Sequence, residues 1–137
     1  MRIGIAGPVA TENIVRFLGK DTRSLPRGYG GAPFLSTLIS TLVGRGHDVS
    51  VYTTSADVSI LTPEPLRVKR PRLTIYYCPV RPHAIRFHEA LPGRILDGFA
   101  LERRHLRRAI ELDQPDVIHA HWAYEFALAG IASRRPC

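Results

Sequence analysis

A chain of 137 residues, 45% of them hydrophobic and 23% charged, has the size and composition of one globular domain and is not a disordered chain. Its formal net charge of +7 indicates either a solvated basic surface or an anionic partner: a phosphorylated small molecule, an anionic membrane surface or nucleic acid. Nucleic acid is disfavoured, because the basic residues are not interleaved with stacking aromatic residues and no nucleic-acid-binding motif is present.

The sequence shows neither an apolar run long enough to span a bilayer nor the apolar core of a signal peptide. Its two cysteines, Cys78 and Cys137, lie far apart and lack the spacing of a zinc site. We therefore expect a cytoplasmic protein without a disulfide or a bound metal.

The first half of the chain has the pattern of a βαβ unit. Short apolar or β-branched runs predict strands at residues 2–7 and 47–54. Between them, "APFLSTLISTLVGRG" has apolar residues at helical spacing and ends in two glycines, which predicts a helix.

The second half continues the alternation of strands and helices. Strands are predicted at 72–78 and 116–120, and a final helix at "YEFALAGIASR". Between the strands, "GRILDGFALERRHLRRAIELD" predicts a long helix whose apolar face carries Ile95, Phe99, Leu106 and Ile110. The fold class is therefore α/β, a Rossmann-like doubly wound parallel sheet with the strand order 3-2-1-4.

Two long connections interrupt this pattern. The segment Pro8–Tyr29 is longer than most loops and is expected to be functional or disordered, whereas Ser55–Arg70, which contains "TPEPLRVKRP", is expected to be a surface excursion. The first connection leads into Gly28, Gly30 and Gly31, just before a predicted helix, where free backbone N–H groups favour a phosphate. The glycines do not form a dinucleotide fingerprint, and by themselves they fit a plain helix-entry turn better than a phosphate site.

Three stretches together resemble a known family. "MRIGIAG", "GYGGAPFLSTLISTLVGRGHDVSVYTT" and "PDVIHAHWA" resemble, in order and spacing, the N-terminal domain of the family-4 retaining glycosyltransferases of GT-B fold. The resemblance implies a hexosyltransferase-type enzyme that transfers a sugar from a nucleotide-sugar to a sugar or lipid-linked acceptor with retention, without a metal cofactor. The chain, residues 1–137, would then form the acceptor-side domain.

The resemblance also implies roles for particular residues. Gly30 and Gly31 would approach the donor diphosphate, and His121 would be the active-site histidine at the carboxyl end of its strand. Period-two geometry places His119 on the same side as His121. A structural histidine and a metal pair remain alternatives, although no further ligand lies at metal-site spacing. We expect Trp122 and Tyr124 to cap the core rather than to line the acceptor site.

After the last predicted helix, "RRPC" has the character of a loop that leads into a further strand, so the fold is expected to be incomplete at its C-terminus. On the family pattern, the C-terminal nucleotide-sugar domain is the missing partner and the chain, a fragment, is inactive alone. A standalone flavodoxin-like, nucleotide-binding or regulatory module is the alternative. The basic helix, which carries Arg103, Arg104, Arg107 and Arg108, is a candidate for peripheral contact with the anionic inner face of a membrane, or simply a solvated face.

Overall fold

The computed structural model describes residues 1–19 and 21–137 as a five-stranded sheet with helices on both of its faces. The strands are β1 (Arg2–Ala6), β2 (Asp48–Ser55), β3 (Leu66–Arg70), β4 (Leu73–Pro79) and β5 (Val117–Ala120). The helices are α1 (Val15–Leu18), α2 (Phe34–Gly44), α3 (Ala100–Asp113) and α4 (Glu125–Ala132), and a short 3-10 helix spans Thr11–Ile14.

The sheet order is β3-β4-β2-β1-β5. The strands β4, β2, β1 and β5 are mutually parallel, and each lies within one residue of its predicted position, so the predicted order 3-2-1-4 is confirmed. The strand β3 was not predicted. It pairs antiparallel with β4 inside the segment expected to be only a surface excursion, so the sheet is mostly rather than wholly parallel.

Side chains alternate between two cores along each central strand, as period-two geometry requires. Ile5, Val51 and Ile75 pack with α1 and α2 in the core on one face. Their sequence neighbours Ala6, Tyr52 and Tyr76 pack with α3 and α4 in the core on the other face. Helices therefore cover both faces, which is the doubly wound arrangement that the alternation of elements predicts.

The helix α3 is shorter than predicted. It begins at Ala100 rather than near Gly93, because Gly98 and Phe99 both adopt left-handed backbone conformations, with φ of 62° and 61°, that a helix cannot continue through. Leu106 and Ile110 are buried as expected, but Ile95 lies outside the helix and is largely exposed. The helical spacing of the apolar residues thus overstated the helix by two turns.

The connection between β1 and α2 is ordered in the described residues. Ala10 and Gly28 form an antiparallel bridge, and the N–H of Tyr29 donates to the carbonyl of Val9 at 3.1 Å. The connection therefore folds back on itself and returns to the end of β1 before α2 starts. Of its residues, Lys20 lies outside the described part of the chain.

In the described residues, no helix is long and apolar enough to cross a membrane.

Candidate functional site

His121 lies directly after β5, at the carboxyl edge of the sheet. Its N–H donates to the carbonyl of Ala6 at 2.7 Å, which fixes it beside the end of β1. A Cβ atom added at Gly7 would lie 3.2 Å from the Cβ of His121 and 2.8 Å from the side chain of Leu35. The ends of β1 and β5 and the helix α2 therefore approach one another closely. The sheet therefore delivers His121 to the edge where open α/β sheets bind ligands.

The imidazole of His121 stands next to the first residue of α2. Its ring centroid is 4.7 Å from that of Phe34 in an edge-to-face arrangement. The ring of His119 is 6.5 Å away and almost parallel, with an interplanar angle of 8°, so the two histidines do share one side. His121 is partly exposed, and in the part of the chain that the structure describes its imidazole has no hydrogen-bond partner. Both ring nitrogens are free to contact a ligand.

Gly30 and Gly31 lie at the entry of α2, and their surroundings differ. A side chain at Gly30 would meet no atom within 4 Å, whereas one at Gly31 would lie 2.9 Å from the indole of Trp122. Neither glycine N–H makes a hydrogen bond among the described residues, while the N–H groups of Leu35 and Ser36 donate to carbonyls within the helix entry. The two glycines therefore offer free donors before α2, and so does Ala32, whose N–H makes no hydrogen bond among the described residues either.

Gly28, the third glycine of the cluster, has a structural role. Its φ is 73°, and a side chain there would overlap the carbonyl oxygen of Val9. Its N–H donates to Ser55 Oγ at 3.2 Å. Gly28 thus serves the turn that returns the chain to β1, which is a structural role rather than a ligand-binding one.

Trp122 and Tyr124 are on the surface, which corrects the expectation that they cap the core. Trp122 is 39% exposed and Tyr124 more so. The indole of Trp122 meets the ring of Tyr29 edge to face at 5.9 Å, and its backbone is left-handed with φ of 74°, a strained state for a residue with a side chain. An exposed aromatic residue held in a strained conformation beside His121 and Gly31 is typical of a ligand-binding edge.

A surface cleft of about 460 Å³ opens between the connection that follows β1 and the end of β2. Gly30 lies on its rim. Its wall mixes apolar and polar groups, and the polar side chains are those of Thr11, Glu12, Thr22, Arg23, Arg27, Ser55 and Asp57. The cleft therefore offers hydrogen-bond donors and acceptors next to the glycine loop.

An ion pair, which sequence reasoning missed, closes one side of this cleft. The Arg27 side chain donates to both carboxylate oxygens of Asp57, at 2.9 Å and 3.1 Å, and the Arg27 backbone N–H donates at 2.8 Å. These hydrogen bonds lower the pKa of Asp57 to about 2. The pair ties the connection after β1 to the end of β2, and no periodic pattern in the sequence could have signalled it.

The four arginines of α3 are not all free. Arg107 pairs with Glu111 at 2.7 Å, and Arg108 pairs with Glu64 at 3.1 Å. The Nε of Arg103 is buried without a partner in the described structure, and Arg104 is exposed. The charged face of the helix is therefore partly neutralised within the domain.

A group of three or more metal-ligating side chains is not found among the described residues.

The sequence of residues 29–137 matches the family model described as a glycosyl transferase 4-like domain. The match covers more than half of the chain and includes Gly30, Gly31 and His121. The chain belongs to this family.

The segment that matches this family also contains the elements that form the candidate site. The matched segment runs from the glycine loop to the end of the chain and so contains both α2 and the strand that carries His121. Comparison with curated proteins and with solved structures gave no match.

Proposed function

We propose that this glycosyl transferase 4-like domain forms the acceptor side of an enzyme that moves a sugar from a nucleotide-sugar donor to an acceptor hydroxyl with retention. The observation that carries the proposal is that His121 stands against Phe34, the first residue of α2, while its neighbour Trp122 lies against Gly31, all at one edge of the sheet. Among the described residues, the imidazole of His121 and the N–H groups of Gly30 and Gly31 make no hydrogen bond. Gly30 also lies on the rim of the cleft that opens between the connection after β1 and the end of β2.

In the reaction, the bond from the anomeric carbon to the diphosphate breaks and a bond to the acceptor oxygen forms, while the acceptor proton leaves with the diphosphate. Negative charge grows on the diphosphate as this happens. The N–H groups of Gly30 and Gly31, before the N-terminus of α2, would stabilise that charge. Gly30 suits close approach because no atom crowds the space beside it.

His121 would position the donor sugar. An imidazole nitrogen held by the strand end can hydrogen-bond a sugar hydroxyl and keep the anomeric carbon facing the acceptor. The edge-to-face contact with Phe34 and the backbone bond to Ala6 restrict where the ring can stand. The role is one of orientation and electrostatics rather than of a nucleophile.

The nucleotide of the donor would be held by a second domain that closes over this edge. Exposed backbone donors alone bind a hydrated diphosphate weakly, since a helix terminus contributes about 0.3–1 kcal/mol at an exposed site. A closed cleft excludes water and strengthens the same contacts. We therefore propose that the 137-residue chain turns over no donor by itself. We further propose that transfer needs no metal ion.

The test compares the chain with a fusion to the C-terminal nucleotide-sugar domain of a family member. Nucleotide-sugar and a panel of sugar and lipid-linked acceptors are supplied with and without EDTA, and NMR reads the anomeric configuration of the product. The proposal expects transfer only by the fusion, with retention and in the presence of EDTA. Robust turnover by the chain alone, or a product of inverted configuration, would refute it; nucleotide binding without transfer in any fusion would favour a regulatory module.

A further inference from the structure

Aromatic rings gather around His121, and much of their surface is exposed. The side chain of Phe34 is 54% exposed and that of Trp122 39%. Phe34 meets the imidazole edge to face, and the centroid of the indole lies 6.5 Å from that of the imidazole, with an interplanar angle of 39°. Tyr29 meets the indole edge to face from the other segment. We refer to Tyr29, Phe34, His121 and Trp122 as the aromatic cluster.

The backbone at Trp122 is strained in order to hold the indole at the surface. Its φ of 74° is rare for a residue with a side chain, and such strain persists only where neighbouring contacts impose it. The N–H of His121 donates to the carbonyl of Ala6 at 2.7 Å, and the carbonyl of Trp122 accepts from the N–H of Ala127 at 3.2 Å. Gly31 leaves room for the indole, since a Cβ atom there would lie 2.9 Å from it. Strain of this kind is concentrated at ligand-binding sites.

The aromatic cluster carries polar atoms as well as ring faces. In the described part of the chain, the imidazole of His121, the indole N–H of Trp122 and the hydroxyl of Tyr29 make no hydrogen bond. A ligand that lies against the rings would therefore meet hydrogen-bonding groups at its rim. Aromatic surface with a few polar groups is the usual lining of a small-molecule site.

No fixed charge lies on the two segments that supply these rings. Residues 28–44 and 117–124 contain no Lys, Arg, Asp or Glu. A phosphate or carboxylate on a ligand would find no guanidinium or ammonium group within the aromatic cluster, and these are the groups that pair best with such anions. The aromatic cluster therefore favours a neutral ligand with an apolar face and a rim of hydroxyl groups, which is the chemistry of a pyranose ring.

We propose that the aromatic cluster stacks on the C–H face of a neutral pyranose and that Trp122 selects an acceptor that is itself a sugar ring. The assignment to the acceptor rests on the proposed function, in which this domain forms the acceptor side. An acyl or polyprenyl chain is less suitable, because it would leave the N–H and hydroxyl groups of the aromatic cluster without partners.

The first test is a fluorescence titration of the 137-residue chain, whose only tryptophan is Trp122. The probes are methyl glucopyranoside, methyl galactopyranoside and methyl mannopyranoside. Sorbitol is the control, since it has the hydroxyl groups of a sugar but no ring face. At least one methyl pyranoside is expected to change the emission saturably, whereas sorbitol is not. Glucose 6-phosphate should bind no more tightly than methyl glucopyranoside.

Variants separate stacking from a structural role. Binding to them is measured by saturation-transfer NMR of the sugar, because a Trp122 variant has no tryptophan. Trp122→Ala should weaken binding about fivefold or more, and Trp122→Phe should restore most of it because a ring remains. Tyr124→Ala is the matched control: Tyr124 is an exposed ring two residues away, but it pairs with Phe99 at 5.5 Å. This variant should bind as the wild type does.

Kinetics of the fusion enzyme assign the bound sugar to the acceptor or the donor. Trp122→Ala should raise the KM for a sugar acceptor and leave both the KM for the donor and the midpoint of urea unfolding, followed by circular dichroism, near their wild-type values. A rise confined to the donor KM would overturn the assignment to the acceptor. If no fusion transfers sugar while Trp122-dependent binding persists in the chain alone, the proposed function fails and the stacking site stands.

Other results would overturn the stacking site itself. These are an emission that no methyl pyranoside changes, equal binding of sorbitol, tighter binding of glucose 6-phosphate, and an equal loss in Tyr124→Ala. A loss in Trp122→Ala that comes with a lowered midpoint of unfolding, and that Trp122→Phe does not restore, would assign the indole to support of the glycine loop instead.

Discussion

Three glycines within four positions should respond differently to a single added methyl group. In Gly28→Ala, the new side chain sits on a backbone with φ of 73° and overlaps the carbonyl oxygen of Val9. In Gly30→Ala, φ is outside the left-handed region and the space is open. In Gly31→Ala, the methyl group would lie 2.9 Å from the indole of Trp122, a side chain that can move.

The magnitudes follow from these surroundings. A left-handed backbone costs a residue with a side chain about 1–2 kcal/mol. Displacing the Val9 carbonyl also weakens its hydrogen bond from Tyr29, worth about 0.5–1.5 kcal/mol, so Gly28→Ala should lose about 2–3 kcal/mol of unfolding free energy. Gly30→Ala should lose nothing and could gain about 0.4–1 kcal/mol from a less flexible unfolded chain. Gly31→Ala should lose about 1 kcal/mol as the indole leaves its preferred rotamer.

Urea unfolding followed by tryptophan fluorescence measures all three, because Trp122 is the only tryptophan of the chain and lies beside Gly31. In the fusion enzyme, Gly30→Ala should still weaken donor binding, since the methyl group stands where the diphosphate approaches. If Gly30→Ala is as stable as the wild type but binds the donor more weakly, Gly30 acts in donor binding rather than in folding. A loss of stability in Gly30→Ala as large as in Gly28→Ala would refute the geometry of the glycine loop, and unchanged donor affinity would refute its role.

Three further predictions concern stability and reactivity. Glu102 is fully buried, and its carboxylate accepts three hydrogen bonds from Arg81, so Glu102→Ala should lower the free energy of unfolding, measured in urea, by about 3–5 kcal/mol. The control Arg107→Ala breaks the exposed pair with Glu111 and should lower it by less than about 1 kcal/mol. Equal losses in the two variants would contradict the structural role given to Glu102. Arg27 lowers the pKa of Asp57 from 3.8 to about 2, so the ion pair stabilises the fold above pH about 4 and ceases to do so as the pH falls through about 2. The stability difference between wild type and Asp57→Asn should therefore shrink over that window, and a difference that does not depend on pH would argue against the pair. Burial raises the pKa of the Cys78 thiol while Cys137 is exposed, so a thiol reagent should label Cys137 in the native chain and Cys78 only after unfolding, as mass spectrometry of the labelled peptides can show.

The sequence specified the central sheet well because β1, β2, β4 and β5 are apolar or β-branched runs bounded by glycine, proline or charge. It did not reveal β3, whose "LRVKR" buries only Val68 and is flanked by Pro65 and Pro71, so that its composition is that of a loop. Ile95 and Phe99 continue the helical spacing of α3, but the left-handed backbone at Gly98 and Phe99 is a matter of local conformation that spacing does not encode.

The candidate site divides in the same way. The positions of His121 and the glycine loop follow from strand and helix order, because the carboxyl ends of parallel strands meet at one edge. The pairing of Arg27 with Asp57, thirty residues apart, depends on how the connection after β1 folds, and surface ion pairs leave no periodic trace. The exposure of Trp122 was missed because an aromatic residue next to a buried strand has the same pattern whether it caps a core or lines a cleft.

The measurement that tests the proposed transferase site most directly is the turnover of the fusion enzyme carrying His121→Ala beside one carrying His119→Ala. Both histidines lie on the same side of β5, and His119 is exposed, so the pair controls for loss of an imidazole at this edge. His121→Ala should lower kcat by about 100-fold or more, the usual effect of removing a group that positions the reacting centre, without lowering the midpoint of urea unfolding by a comparable share. His119→Ala should keep most of the activity. Full activity in His121→Ala, or equal losses in both variants, would contradict the assignment of His121 to the reacting centre.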